Sequence, residues 1–247
     1  MKTNFLSIAA FAVILLTVTI SSCKKESMKG NGSVEFELEH TWASTAFALN
    51  TDYVTSETQT VKLSKFKYLA SNFRLVKADG GEHAVPESYF LVDASVPTST
   101  KIILKEIPSA DYTSLKYVVG VDSARNTAGA QTGALATTND LFWSWNTGYI
   151  FMKAEGISPQ NASGFSYHIG GFGGANAAQR EITINFGGEK LNVRDGKEVT
   201  VHAKADVKKL FNGFDVSTTS MMHMPGAKAL QLANNYAQMF SFEHLHQ

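Results

Sequence analysis

The side chains of this sequence best suited to chemistry are imidazoles and indoles, and they cluster. Trp143 and Trp145, two of the three tryptophans, stand two residues apart within Leu141–Gly156 (LFWSWNTGYIFMKAEG). Read as one strand, that stretch sends both indoles to the same side, with Gly148 interrupting or bulging the run before Tyr149. After a short loop, Phe165-Ser-Tyr-His-Ile-Gly-Gly171 places His168 in an aromatic, strand-like setting. His40 ends a second apolar row. Either histidine alone reads as a hydrogen-bonded core residue. Together with the indole face they point to a metal, because imidazole is the commonest metal ligand and suits copper and zinc. Met221-Met222-His223-Met224 adds a further imidazole among thioethers, which favour Cu(I), although methionines also fill cores. Of the other histidines, His83 lies in a turn and His202 reads as structural. His244 and His246 could bind metal but read as a loosely ordered end.

Other chemistries find little support. Gly170-Gly171-Phe172-Gly173-Gly174 has no basic residue or helix start at phosphate-loop spacing, and it reads as a loop after a strand. No nucleophile elbow or dinucleotide fingerprint is present, and the carboxylates are scattered, so glycosidase chemistry is unsupported. With 22 basic and 22 acidic residues there is no electrostatic footprint for nucleic acid. A binding protein, not an enzyme, is the expectation.

The elements that must position these groups are strands. Val34-Glu-Phe-Glu-Leu-Glu-His40 alternates, with Val34, Phe36, Leu38 and His40 on the buried side. Residues 61–76 alternate with shifts of phase, which fits two strands or one bulged strand. Short strand signals follow at 88–92, 101–104, 114–121, 181–186, 191–193 and 198–203, separated by turns such as Asp195-Gly196. Helix is scarce: a turn or two after Asp206 and a short segment over 227–239. The expected fold is all-β, a single β-sandwich over residues 34–247 with a short C-terminal helix.

The first 22 residues read as a bacterial lipoprotein signal peptide. Lys2 supplies the positive start and Phe5–Ile20 the apolar region. Ile20-Ser21-Ser22-Cys23 resembles a lipobox whose cysteine, the only one in the chain, becomes the lipidated N-terminus. The alternative, an anchor helix, asks a short apolar run to span a bilayer. Residues 23–33 read as a flexible tether. Lys24 in place of aspartate favours the outer membrane, on its periplasmic or surface face.

Several segments together resemble the MbnP-like copper-binding proteins, in the lipoprotein branch of Bacteroidetes-type bacteria. The similarity is carried by Phe142–Gly156, Tyr167-His-Ile-Gly170, Phe36-Glu-Leu-Glu-His40, the loop from Gly120 through Leu135, and Ala233–Phe240. The resemblance implies extracytoplasmic copper binding, Cu(I) favoured, for copper acquisition or buffering on a β-rich scaffold. In some members a dihaem partner enzyme of the cytochrome peroxidase type oxidises a tryptophan to kynurenine, whose amine joins histidines around the ion. Carried over, Trp143 or Trp145 is the modified residue and His168 and His40 are the imidazole ligands; His223, among its methionines, is a further metal candidate from the residues themselves. The chain departs from better-known members in lacking their additional cysteines and in its N-terminal strand, which weakens the carry-over to His40. Two other roles compete: a structural or ligand-binding surface lipoprotein without metal, and a redox partner of the dihaem enzyme.

Lipidation is directly testable. Cys23→Ser is expected to abolish lipid labelling and to move the protein from the membrane to the soluble fraction on cell fractionation. A substituted protein that stays membrane-bound with its signal normally processed contradicts the anchor.

Overall fold

The computed structural model describes residues 28–143 and 148–247; Cys23 and Trp145 lie outside the described residues. Along the chain, β1 (Asn31–Trp42), β2 (Thr45–Ala46), β3 (Asp52–Val54), β4 (Thr60–Lys77), β5 (Glu82–Ala84) and β6 (Tyr89–Asp93) come first. Next are β7 (Lys101–Pro108), β8 (Ala110–Val119), the one-turn helix α1 (Ser123–Asn126), β9 (Phe142–Trp143), β10 (Gly148–Ser158) and β11 (Asn161–Gly170). The chain continues with β12 (Arg180–Asn185), β13 (Leu191–Val193), β14 (Glu198–Asp206), β15 (Met221–Met222), α2 (Ala227–Tyr236) and β16 (Phe240–His246).

These strands form the expected all-β sandwich. The smaller sheet runs β16-β14-β1-β2, with β7 also paired to β1. The larger runs β12-β8-β4-β10-β11-β15, with β3, β5 and β6 attached to β4, β9 to β10 and β13 to β8. β1 shows the alternation expected of it: Val34, Phe36, Leu38 and His40 are buried and the intervening glutamates are not. Aromatic rings join the layers. Phe36 and Phe240 of the smaller sheet meet Tyr117 of the larger at 5.5 and 5.6 Å between centroids, and Tyr117 stacks on Phe73 at 5.2 Å. Such contacts add about 0.5–1.5 kcal/mol each beyond the area they bury.

Three local expectations are refined. Residues 61–76 form one bulged strand: the register of β4 shifts between Ser71 and Arg74, where Asn72 adopts φ 55°. β1 starts at Asn31, inside the expected tether, because the Asn31 amide donates to Asp195 Oδ1 at 3.2 Å and its side chain donates to Glu106 at 2.9 Å. The chain also does not end loosely after the helix. Alternating Phe240 and Phe242 pack on the core and carry β16 into the edge of the smaller sheet.

His40 lies between the layers. Its Nε2 is 3.1 Å from the Tyr68 hydroxyl, and the rings of Phe66, Tyr68 and Phe47 surround it at 5.5, 5.8 and 6.4 Å. Burial drives its pKa from 6.5 down to about 4. As pH falls, the unfolded chain takes up this proton before the folded one, so the stability is complete above 6.5 and drains away toward 4. Denaturant unfolding at about pH 7.5 and about pH 4.5 should therefore show a loss roughly 2–3 kcal/mol greater in the native sequence than in His40→Gln. Equal losses in the two proteins contradict a buried neutral imidazole.

Candidate metal centre

Strand register decides which residues of the larger sheet can meet. Met152 of β10 pairs with Tyr68 and Ile169, all buried in the core. The next residue, Lys153, pairs with Lys67 and His168, which therefore project from the outer face. Glu155, two residues on, shares that face with its partners Lys65 and Ser166. β15 then runs parallel to β11, with Met221 beside Ser166, and delivers His223 to the same place.

The result is a pair of imidazoles around one hydroxyl. Ser166 Oγ is 3.2 Å from His168 Nε2 and 2.8 Å from His223 Nε2, and the two rings stack at 3.9 Å with 12° between their planes. His168 Nε2 also lies 2.7 Å from Glu155 Oε1. A cleft of about 200 Å³ opens here, lined by Asp140, Phe142, Trp143, Ile150, Lys153, His168 and His223. Trp143 reaches it by crossing Gly170: a Cβ on that residue would lie 2.8 Å from the indole, so only glycine lets the ring so close.

The segment that carries Trp143 is fixed from both sides. Asp140, at φ 61°, accepts from Lys153 Nζ at 2.8 Å and Lys65 Nζ at 2.9 Å. Lys67 donates to the Asn139 carbonyl at 3.3 Å. Fully buried Asn126 accepts from the Tyr149 amide and donates to the Val121 carbonyl, both at 2.8 Å, which anchors the start of β10.

Charge on this face favours a neutral imidazole. Burial lowers the His168 pKa; Glu155 opposes the shift, while Lys153 and His223 reinforce it. Burial would raise the Glu155 carboxyl, but the His168 hydrogen bond and the charge of Lys65 outweigh it and hold the pKa below normal. Asp140 behaves alike: burial acts upward, and the bonds from Lys153 and Lys65 bring it down to about 2. Two imidazoles side by side, with the Glu155 carboxylate and the Ser166 hydroxyl both on the Nε2 side of His168, are groups of the types that copper or zinc takes.

The sequence candidates distribute unevenly. His168, His223 and Trp143 come together in one cleft. His40 does not join them. It sits in the interlayer core against Tyr68, while His168 stands on the outer face of the sheet to which Tyr68 belongs. His40 and His168 therefore cannot share one ion, and the histidine that the structure sets beside His168 is His223. The single strand expected over Leu141–Gly156 is also corrected: the chain reverses, and β9 pairs antiparallel with β10, Trp143 opposite Gly148. Trp145 falls in the connection, outside the described residues. Met222 packs into the core, whereas Met221 and Met224 are exposed beside His223. Sequence reading missed Lys153, Glu155 and Asp140. The alternation of Met152, Lys153, Ala154 and Glu155 was the signal for the first two.

Geometry thus describes a β-sandwich bearing an imidazole pair beside an indole on its outer face. The family model for MbnP matches residues 31–225, and the chain belongs to the MbnP family. Among solved structures, MbnP from Methylosinus trichosporium aligns at a TM-score of 0.50 and 14% identity, covering 79% of this chain and 82% of that one, which is a likeness of fold. No curated protein matches the sequence.

The buried lysine gives this site a stability signature. Its side chain is 3% exposed, and apart from Asp140 its other carboxylate contact is Glu155 at 3.9 Å. Asp140→Asn should destabilise the protein by roughly 2 kcal/mol, less than the roughly 3–5 kcal/mol for breaking a fully buried pair, because the Asp140 side chain is 53% exposed and Glu155 remains near. Asp52→Asn, which breaks the exposed pair with Lys62, should change stability by less than about 0.5 kcal/mol. Chemical denaturation of the two variants checks the contrast; equal effects contradict it.

Proposed function

We propose that this protein is a lipid-anchored protein of the bacterial envelope that holds one Cu(I) ion between His168 and His223 for acquisition or buffering. The observation that carries the reading is the convergence of both Nε2 atoms on Ser166 Oγ in a cleft bordered by Trp143. Membership of the MbnP family supports it, as does the presence of exposed thioethers at Met221 and Met224, which suit a soft ion. Copper here is cargo, and the chain's contribution is to present the two imidazoles together; Glu155 and Ser166, which hydrogen-bond His168 Nε2 in the metal-free protein, give up that nitrogen when the ion enters.

Trp143 has a separate part in the proposal. An indole nitrogen donates a proton but has no lone pair for a metal. Oxidation of Trp143 or Trp145 to kynurenine by a dihaem partner supplies an aromatic amine, and Trp143 stands where such an amine borders the imidazole pair. Peptide mass mapping across Leu141–Lys153 of protein from its own host reads this step; an unmodified pair in copper-loaded protein removes the kynurenine and leaves the histidines.

Cu(I) affinity is measured by competition with a chromophoric chelator under reducing conditions. His168→Ala and His223→Ala are each expected to weaken binding at least tenfold, while His83→Ala and His40→Ala leave it unchanged. Loss in all four, or in none, overturns the assignment, and a protein that takes up no copper returns the reading to a metal-free surface lipoprotein.

A further inference from the structure

A second group of imidazoles occupies the outer face of the smaller sheet, with the sandwich core between it and His168. His202 of β14 stands opposite His244 of β16. The register shift between His202 and Ala203 takes up one residue, Glu243, so the phase of β16 inverts. Phe240 and Phe242 face the core, and beyond the shift His244 and His246 emerge outside. The three ring centroids are 4.3, 4.9 and 5.0 Å apart, and His244 Nε2 is 3.1 Å from His246 Nε2. One ring nitrogen from each histidine lies within 4.8 Å of the other two, the group of three metal-type ligands found among the described residues.

The surroundings are built to hold these rings. Gln247 accepts from the Asn192 amide at 2.8 Å and donates to the Lys190 carbonyl at 2.5 Å, which ties down the end of β16. Glu37 of β1, directly across from His202, places Oε2 3.5 Å from its Nδ1. Lys101 in turn holds Glu37 at 3.1 Å. A carboxylate beside one imidazole nitrogen favours the tautomer that protonates it and leaves the other free for a metal.

We propose that His202, His244 and His246 form a second metal site, for a divalent ion of the copper, nickel and zinc group. Three imidazoles with no thiolate favour these ions, and Cu(II) heads the affinity order. The side chains of His202 and His244 are 24% and 47% exposed, so water completes the coordination and the ion exchanges with solvent. His244 and His246 lie beyond residues 31–225, the span matched by the family model.

Titration of the full chain with Cu(II), followed by electron paramagnetic resonance and by competition with a chelator of known affinity, tests the proposal. The expected result is one Cu(II) equivalent with imidazole nitrogen hyperfine structure that persists in His168→Ala/His223→Ala. His202→Asn, His244→Ala and His246→Ala should each weaken it at least tenfold. Glu37→Gln should weaken it about 10–100-fold through the tautomer of His202. His244 and His246 lie on an exposed face, so their replacement leaves folding intact, which circular dichroism verifies. Cu(II) binding unchanged in His244→Ala/His246→Ala, binding lost only with His168 and His223, or no bound equivalent at all overturns the second site. The Cu(I) assignment stands or falls on different variants under reducing conditions, so either site can fail alone.

Discussion

The candidate cleft depends on one buried cation. Lys153 projects from the middle of β10 onto the outer face of the larger sheet, and its ammonium needs a partner there. Asp140 supplies it and also binds Lys65, so two strand residues clamp a single loop carboxylate. Three residues later comes Trp143. The ion pair therefore fixes where the indole crosses Gly170, and with it the wall of the cleft that faces His168 and His223. The charge that holds the loop also acts on the neighbouring imidazole, because a nearby ammonium disfavours a second positive charge. The same amine thus sets the position of the loop and the charge around His168.

Period-two geometry sorts the histidines into distinct environments. His40 falls on an inward position of β1 and becomes part of an aromatic core, neutral and bonded to Tyr68. His168 falls on an outward position of β11 and meets His223 across the parallel pairing of β11 with β15. His202 falls outward on β14 and meets β16. The sheet gives one type of side chain a packing role in its interior and ligand geometry on its exterior.

Much of the fold was legible in the sequence because alternation is a local property. The buried row from Val34 to His40, the strands around residues 101, 114, 181 and 198, and the helix near the C-terminus all appear where the pattern puts them. The site was legible only in part. His168, His223 and Trp143 could be named singly, but their meeting depends on register between strands and on a loop folding back over a sheet. His40 was misassigned to the site for the same reason: an inward row end and an outward row middle look alike in one dimension. Alternation also failed where backbone irregularity intervenes. The reversal between Trp143 and Gly148 was read as a bulge, and the inverted phase at Glu243 hid the order of β16.

The pairing of β1 with β14 carries a further consequence, for the order in which the molecule assembles. The two strands run parallel, and Ser33 and Glu198, joined across them, are 165 residues apart. β14 also separates β1 from β16, so the smaller sheet cannot be completed until nearly the whole chain is available. The larger sheet is assembled mainly from nearer neighbours, such as β10 with β11 across a tight hairpin. Closing a loop of such length costs entropy before any contact returns it, which slows folding and leaves the apolar face of β1 waiting for its cover. A chain with this topology cannot close its smaller sheet until its last strands have been made.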